Sequence, residues 1–313
     1  MVDKEFLWGS DKRYKDYSAW FRRRFDGRVQ KISLDAGFTC PNRDGSKGTG
    51  GCTYCNNKSF NPDYCRTEKI IEDQIIKGIQ FFAKKYPTMR YLAYFQAYSN
   101  TYAPAEILRQ TYEDALRHPE VIGLVIATRP DCLSEEILDL LEEFAGKCYV
   151  SLELGIESLK DETLLRINRG HTVQESIEAI HRIAQRGIDN CVHLILGLPG
   201  EGEEDFIQYA KILSKLPVRS IKLHQLQIHK GTRMAVDYKK NPLGFHLFEV
   251  QEYADLVVRF LEHLSPKIIV QRFVSSAPAG MVIAPSWGLK NYEFVAKVDK
   301  LMLERDTWQG KRL

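Results

Sequence analysis

No run of eighteen or more apolar residues occurs in the 313-residue chain, which excludes a membrane-spanning helix. The first thirty residues are charged and aromatic and lack the apolar centre of a secretory signal, so the expected location is the cytoplasm. An excess of one charge is also missing: 44 Lys and Arg against 41 Asp and Glu leave +3, too little to mark a nucleic-acid binder by composition alone. Cysteine is limited to seven residues at irregular spacing, which argues against a disulfide framework and for a reduced compartment with a metal site. No low-complexity linker breaks the chain, and 44% apolar residues are enough for a substantial core.

Three of the seven cysteines lie in one loop, CPNRDGSKGTGGCTYC, at Cys40, Cys52 and Cys55. Cys52 and Cys55 can converge on one centre, and four glycines among the eleven residues after Cys40 let the chain wrap around it. Three thiolates can ligate three irons of a [4Fe-4S] cluster and leave the fourth iron open to a substrate or cofactor. The competing reading recruits Cys65 to make a four-cysteine zinc site, C-x11-C-x2-C-x9-C. A redox pair at Cys52 and Cys55 is disfavoured because no such pair opens a helix. Cys132, Cys148 and Cys191 fall on separate units without ligand spacing and are expected to pack.

Charge is uneven along the chain. Residues 1–31 carry nine Lys or Arg against five acids, interleaved with Tyr14, Tyr17, Trp20, Phe21 and Phe25. That mixture suits a single-stranded RNA contact, and it equally suits an amphipathic helix capping the core. Beyond it the pattern alternates. Strands are predicted at 29–34, 91–97, 121–127, 148–154, 192–196 and 220–227, and helices at about 70–85, 105–117, 134–144, 161–167, 203–215 and 247–264, with a further helix after the Thr172/Glu175 capping box. Six apolar strands separated by helices call for an α/β fold of parallel strands, an incomplete (β/α)6 TIM-like barrel open on one side. Its site is expected where the loops leave the C-terminal strand ends. The expected divisions are a basic aromatic segment at 1–27, a core at 28–265, and a C-terminal extension at 266–313 that covers the barrel opening as a lid or adds a layer.

At this point the motifs carry a family resemblance. The cysteine loop after the first strand, Tyr54 between the last two cysteines and GLPGE after the fifth strand resemble the radical S-adenosylmethionine (SAM) superfamily. Most of that superfamily has three residues between its first two cysteines; the eleven here are similar to the subgroup containing the elongator-type tRNA-modifying enzymes. Together, CPNRDGSKGTGGCTYCN, YFQAYSNTYA, ATRPDCL, LELGIES, INRGHT, HLILGLPGE and KLHQLQIHKGT resemble the YhcC/YtqA type over residues 28–276.

The resemblance implies that Cys40, Cys52 and Cys55 hold a [4Fe-4S] cluster whose open iron chelates SAM, and that one electron cleaves SAM to a 5′-deoxyadenosyl radical. Gln96, Tyr98 and Ser99 stand where the superfamily often has a Gly-Gly-Glu that holds the SAM amino group. Arg129 and Arg166 are candidates for the SAM carboxylate, and Glu153 and Glu157 for the ribose hydroxyls; the alternative for each is a surface ion pair. Leu196, Gly197, Leu198 and Pro199 would offer backbone groups to adenine, and Tyr54 an aromatic edge. His193, His224 and His229 read as satisfied core or loop histidines, whereas His171 is a candidate substrate contact. Arg43 and Lys47 in the cysteine loop could guide an anionic substrate.

The function implied is tRNA wobble-uridine modification, of the kind that matures carboxymethylaminomethyluridine to aminomethyluridine. Its partners would be tRNA and an electron donor such as flavodoxin or ferredoxin, with no membrane. A radical SAM enzyme acting on a small molecule and a non-catalytic zinc protein that binds RNA are the alternatives.

Overall fold

Strands that are apolar on both faces need cover on both, and this chain supplies it by alternating them with amphipathic helices. In the computed structural model, which describes residues 6–56, 62–83, 89–275, 277–278 and 280–313, seven parallel strands form one sheet. They are β1 (Val29–Leu34), β2 (Arg90–Phe95), β3 (Val121–Thr128), β4 (Tyr149–Glu157), β5 (Asp189–Leu196), β6 (Ser220–Gln225) and a last strand, Ile269–Arg272, in that spatial order. The first six are the expected ones. The seventh lies in the segment read from sequence as the extension, where only four residues join the ladder beside β6. The expected helix over 70–85 runs Ile71–Ala83, and Lys84, Lys85 and Pro87 lie outside the described residues, as do Asp3, Lys4 and Glu5.

β1 and the last strand are the two edges of the sheet, and the sheet curls until side chains from the edges meet. Lys31 on β1 reaches Gln271 on the last strand at 3.0 Å and Glu153 on β4 at 2.7 Å. The result is an open half-barrel whose edges are linked by side chains. The helix Ile71–Ala83 packs tightly over β1: a Cβ at Gly78 would lie 2.4 Å from Ile32.

The N-terminal segment closes the lower end. Val270 donates its N–H to the Lys15 carbonyl at 2.9 Å, and Asp16 caps α1 (Tyr17–Phe25) by accepting from the Ala19 N–H at 2.8 Å. α1 then lays Phe21, with Tyr17, Trp20 and Phe25, against Leu92, Tyr94, Val125 and Tyr149 inside the barrel. Of the two expectations for this segment, the helix capping the core is the one observed. Tyr14 and Phe21 are buried, so those rings are closed to base stacking, while Arg22, Arg23 and Arg24 stay in solvent.

The C-terminal segment divides. Val282–Ala284 pairs antiparallel with Ile228–His229, but the helix Asn291–Glu304 does not cross the opening; Phe294, Val298 and Met302 join the core on the outer side, with Phe294 against Tyr253 of the helix Val250–Glu262. Its end is tied to the N-terminal segment, Gln309 donating to the Arg13 carbonyl and accepting from the Lys15 N–H, each at 2.9 Å. This part is an outer layer. Among the described residues no helix is long and apolar enough to cross a membrane.

The plug gives a stability prediction. Phe21→Ala should cost about 3–5 kcal/mol, as for other buried phenylalanines, whereas Arg22→Ala should stay within about 0.5 kcal/mol; chemical denaturation reads both. Equal, small effects would contradict the plug.

Candidate active site

The C-terminal strand ends surround an open cavity of about 200 Å³. Cys40, Cys52 and Cys55 lie on its wall. Their loop is held down at several points: Asn42 donates to the Asn168 and Arg169 carbonyls at 2.6 and 2.8 Å, and Thr53 N–H donates to the Ile167 carbonyl at 2.9 Å. Gly51 takes a φ of 78°, which favours glycine, and the Arg43 guanidinium lies over the place a Cβ would take.

Each cysteine has an arginine beside it. Arg169 Nη1 lies 3.5 Å from Cys52 Sγ, Arg129 Nη1 lies 4.0 Å from Cys40 Sγ, and Arg43 Nη2 donates to the Cys55 carbonyl at 3.3 Å. Burial pushes the Cys55 thiol up, and the neighbouring Cys52 adds to this, while Arg43 and Arg169 oppose it. Guanidinium groups so placed offset the negative charge of a thiolate-bound centre.

The donor set distinguishes the two metals weighed from sequence. A single tetrahedral zinc, with Zn–S near 2.3 Å, draws its sulfurs to within about 4 Å of one another. Among the described residues, the set with three ligand atoms all within 4.8 Å is Glu153, Cys191 and His193, not the loop cysteines. The sulfurs of Cys40, Cys52 and Cys55 are not drawn together as a single ion would draw them. Cys65 is buried elsewhere and donates its thiol to the Ser33 carbonyl at 3.2 Å, so the four-cysteine zinc site is overturned. The three thiols, free of disulfides and flanked by cations, fit a [4Fe-4S] cluster.

Of the other residues singled out in the sequence, Tyr54, Gln96, Tyr98, Ser99, Arg129, Glu153 and Glu157 line the same cavity. Tyr98 and Glu157 both hold positive φ, 63° and 67°, a conformation rare outside glycine and retained here at the mouth of a cavity. Two of these residues are already committed. Arg129 makes two hydrogen bonds to Asp131, at 2.9 and 2.8 Å, which removes most of its capacity to bind a SAM carboxylate. Burial would raise the Asp131 carboxyl, but Arg129 and Lys47 hold it at about 2. Lys47 is 2.7 Å from Asp131, so it braces this pair and is not free to guide a substrate.

Glu153 is the second. It is wholly buried, 2.7 Å from Lys31 Nζ and 2.5 Å from Lys222 Nζ, and accepts from the Tyr94 hydroxyl at 2.6 Å, so the ribose role expected of it is not available. Three more of the expected groups lie off the cavity. Arg166 is exposed and donates to the Pro199 carbonyl at 2.6 Å, and neither it nor Leu196, Gly197, Leu198 or Pro199 lines the cavity, which Ile195 does instead. His171 is buried off the cavity, with Nε2 3.3 Å from the Gly155 carbonyl; burial, then Arg169, takes it to about 3, so it stays neutral.

Several cavity residues escaped the sequence reading. Arg169, three residues beyond Arg166, is the buried arginine of that turn. Lys222 and His224 alternate in SIKLHQ with the core residues Ile221 and Leu223; a lysine inside an apolar strand was the available signal. His193, read as a core histidine, lies 3.2 Å from Glu153 Oε2, and its ring is 5.4 Å from that of His224. Burial lowers Lys222 to about 8, against the pull of Glu153, and Glu153 lies well below the usual carboxylate range because Lys222 and Lys31 outweigh the cost of its burial.

A parallel half-barrel whose first exit loop presents three spaced cysteines to a shared cavity defines a cluster-dependent radical enzyme. Residues 43–213 match the model of the Radical SAM superfamily, and residues 218–304 that of the Radical_SAM C-terminal domain. The chain belongs to the radical SAM superfamily: it is a radical SAM enzyme, with a [4Fe-4S] cluster and SAM as its cofactors. It is similar to the uncharacterized protein YtqA of Bacillus subtilis, 37% identical over 305 residues that cover 96% of this chain and 93% of YtqA. Protein YhcC of Escherichia coli is 37% identical over 292 residues, 93% and 92% of the two chains. Among solved structures, that of Elp3 from the archaeon Methanocaldococcus infernus shares the fold, with a TM-score of 0.69 at 16% identity, over 90% of this chain and 64% of Elp3.

The buried cluster beneath the cavity predicts an asymmetric response. Glu153→Gln leaves Lys31 and Lys222 without a counter-charge and should cost about 3–5 kcal/mol, whereas Glu153→Gln with Lys222→Met should recover part of that loss. Denaturant midpoints of the three proteins decide it. A single variant as stable as the parent would show that the carboxylate does not hold the floor together.

Proposed function

We propose that Cys40, Cys52 and Cys55 ligate the [4Fe-4S] cluster, that SAM lies beside it against Tyr54, Gln96, Tyr98, Ser99 and Glu157, and that the enzyme modifies a tRNA wobble uridine, maturing carboxymethylaminomethyluridine toward aminomethyluridine. The observation that carries the chemical half is the wall of three spaced cysteines opening into one cavity, each with an arginine beside it. When bound, the cluster and SAM supply a carbon-centred radical that can take a hydrogen atom from an unactivated C–H bond. The chain's own residues hold that chemistry in place. Arg169, Arg129 and Arg43 offset charge at the thiolates, and the Asn42 clamp fixes the loop.

The RNA half is supported by the sequence resemblance and by a basic rim. The helix Arg233–Lys240 sits against the cysteine loop, where Met234 N–H donates to the Thr53 carbonyl at 2.8 Å and Asn56 donates to the Lys230 carbonyl at 2.7 Å. Lys230, Arg233, Lys239 and Lys240 are exposed there, against Asp237 as the helix's acid. Cations at the mouth suit a phosphate backbone whose base enters the cavity. This surface replaces the N-terminal aromatic segment as the RNA contact, and a small redox protein such as flavodoxin or ferredoxin would deliver the electron.

Nucleoside mass spectrometry of tRNA tests the reading. Cells lacking the gene should accumulate carboxymethylaminomethyluridine at the wobble position, and a Lys239→Glu/Lys240→Glu enzyme should bind tRNA more weakly, with a salt dependence reduced by about two charges. An unchanged nucleoside profile would remove the tRNA assignment and leave a radical SAM enzyme acting on a small molecule.

A further inference from the structure

Arg272 ends the last strand in register with Lys222 of β6 and lines the cavity. It differs from its neighbours in having nothing to neutralise it. Lys31 and Lys222 share the Glu153 carboxylate, Arg129 has Asp131 and Arg169 has Glu157, whereas among the described residues the Arg272 guanidinium has no hydrogen-bond or ion-pair partner. A guanidinium cannot shed its proton, so a half-buried one without a counter-ion favours an anion brought from outside.

His224 faces the same space. Two residues beyond Lys222 on β6, it shares that residue's face of the strand, and its Nε2 is buried without a hydrogen-bond partner among the described residues. Burial, then the neighbouring His193 and Arg272, holds the ring well below the usual histidine range, so it is neutral and can present an N–H to an acceptor. Arg272 and His224 lie in the strands, deeper than the exit loops that carry the cysteines, whereas the exposed cations of the Arg233–Lys240 helix stand at the mouth. On the proposed tRNA reading, backbone phosphates would meet the rim and the end of a base side chain would reach the floor.

We propose that Arg272, together with Nε2 of His224, binds a carboxylate carried by the substrate, and so selects a substrate whose reacting arm ends in that group. The planar fork of arginine matches a carboxylate, and the histidine N–H adds a donor from the adjacent strand. This rests on the reading of the cavity as the substrate chamber and names what the chamber recognises.

The test uses the reconstituted, SAM-loaded enzyme treated with phenylglyoxal, with adducts at each arginine counted by peptide mass spectrometry. The probes are N-methylglycine, its methyl ester and inorganic phosphate. At ten times its dissociation constant, N-methylglycine should slow modification of Arg272 about tenfold, while the ester and phosphate leave the rate unchanged and the exposed Arg233 reacts alike throughout. His224→Ala should weaken that protection several-fold. Arg272 unreactive without a probe, unprotected by the carboxylate, or protected equally by phosphate would each overturn the proposal, and full protection in His224→Ala would remove the histidine from it. Failure of the wobble-uridine reading would appear in the tRNA nucleoside profile and leave this protection in place, because the probes carry no base.

Discussion

One buried carboxylate organises the interior of this half-barrel. Glu153 on β4 binds Lys31 from β1, the Tyr94 hydroxyl from β2 and Lys222 from β6, and lies against His193 from β5. Lys31 extends the set to Gln271 on the last strand. A closed barrel aligns its edges by pairing them with each other; here β1 and the last strand are not paired with each other, and these side chains span the interior in its place. Buried ions are expensive to desolvate, and their value lies in the geometry they impose. That geometry sets the height of the floor. Below it the α1 aromatics fill the barrel, and above it the space is left for chemistry.

The upper part of the cavity follows from the same arrangement. With the lower end plugged, the exit loops of β1 through β4 and of β6 converge on one chamber, and the cysteine loop is clamped over it by Asn42 and the turn that carries Arg169. Three arginines stand beside the three cysteines, while Arg272 stands on the floor without a counter-charge among the described residues. The proposed cofactor wall and the proposed substrate recess thus differ in kind. One is already balanced by internal acids and thiols, and the other awaits an anion.

Much of the fold was legible because periodicity reports burial. Strands such as VIGLVIA, covered on both faces, and helices with a single apolar stripe left little freedom, and Thr172 with Glu175 forms the capping box their spacing suggested. The last strand was not legible, since four residues carry too little pattern to separate a ladder from a loop. In the site, the cysteines and the polar residues at the ends of β2 and β3 could be located because they sit in polar loops at strand ends. Ion-pair partners could not. Glu153 looked like an open ligand until Lys31 and Lys222 converged on it, because that pairing depends on residues distant in sequence and on the curl of the sheet, whereas Arg129 is engaged by Asp131, two residues on in the same loop. Arg166 and Arg169 share one turn; which of them is buried depends on packing of Leu164 and Ile167, not on composition.

The central claim is that three cysteines, without Cys65, hold a cluster that cleaves SAM. Its most direct measurement is 5′-deoxyadenosine released from SAM by anaerobically reconstituted, reduced protein, alongside iron content. The account predicts about four irons per chain and nucleoside release in the parent and in Cys65→Ala, with both lost in Cys40→Ala. One equivalent of zinc, no 5′-deoxyadenosine, and metal lost in Cys65→Ala would contradict it.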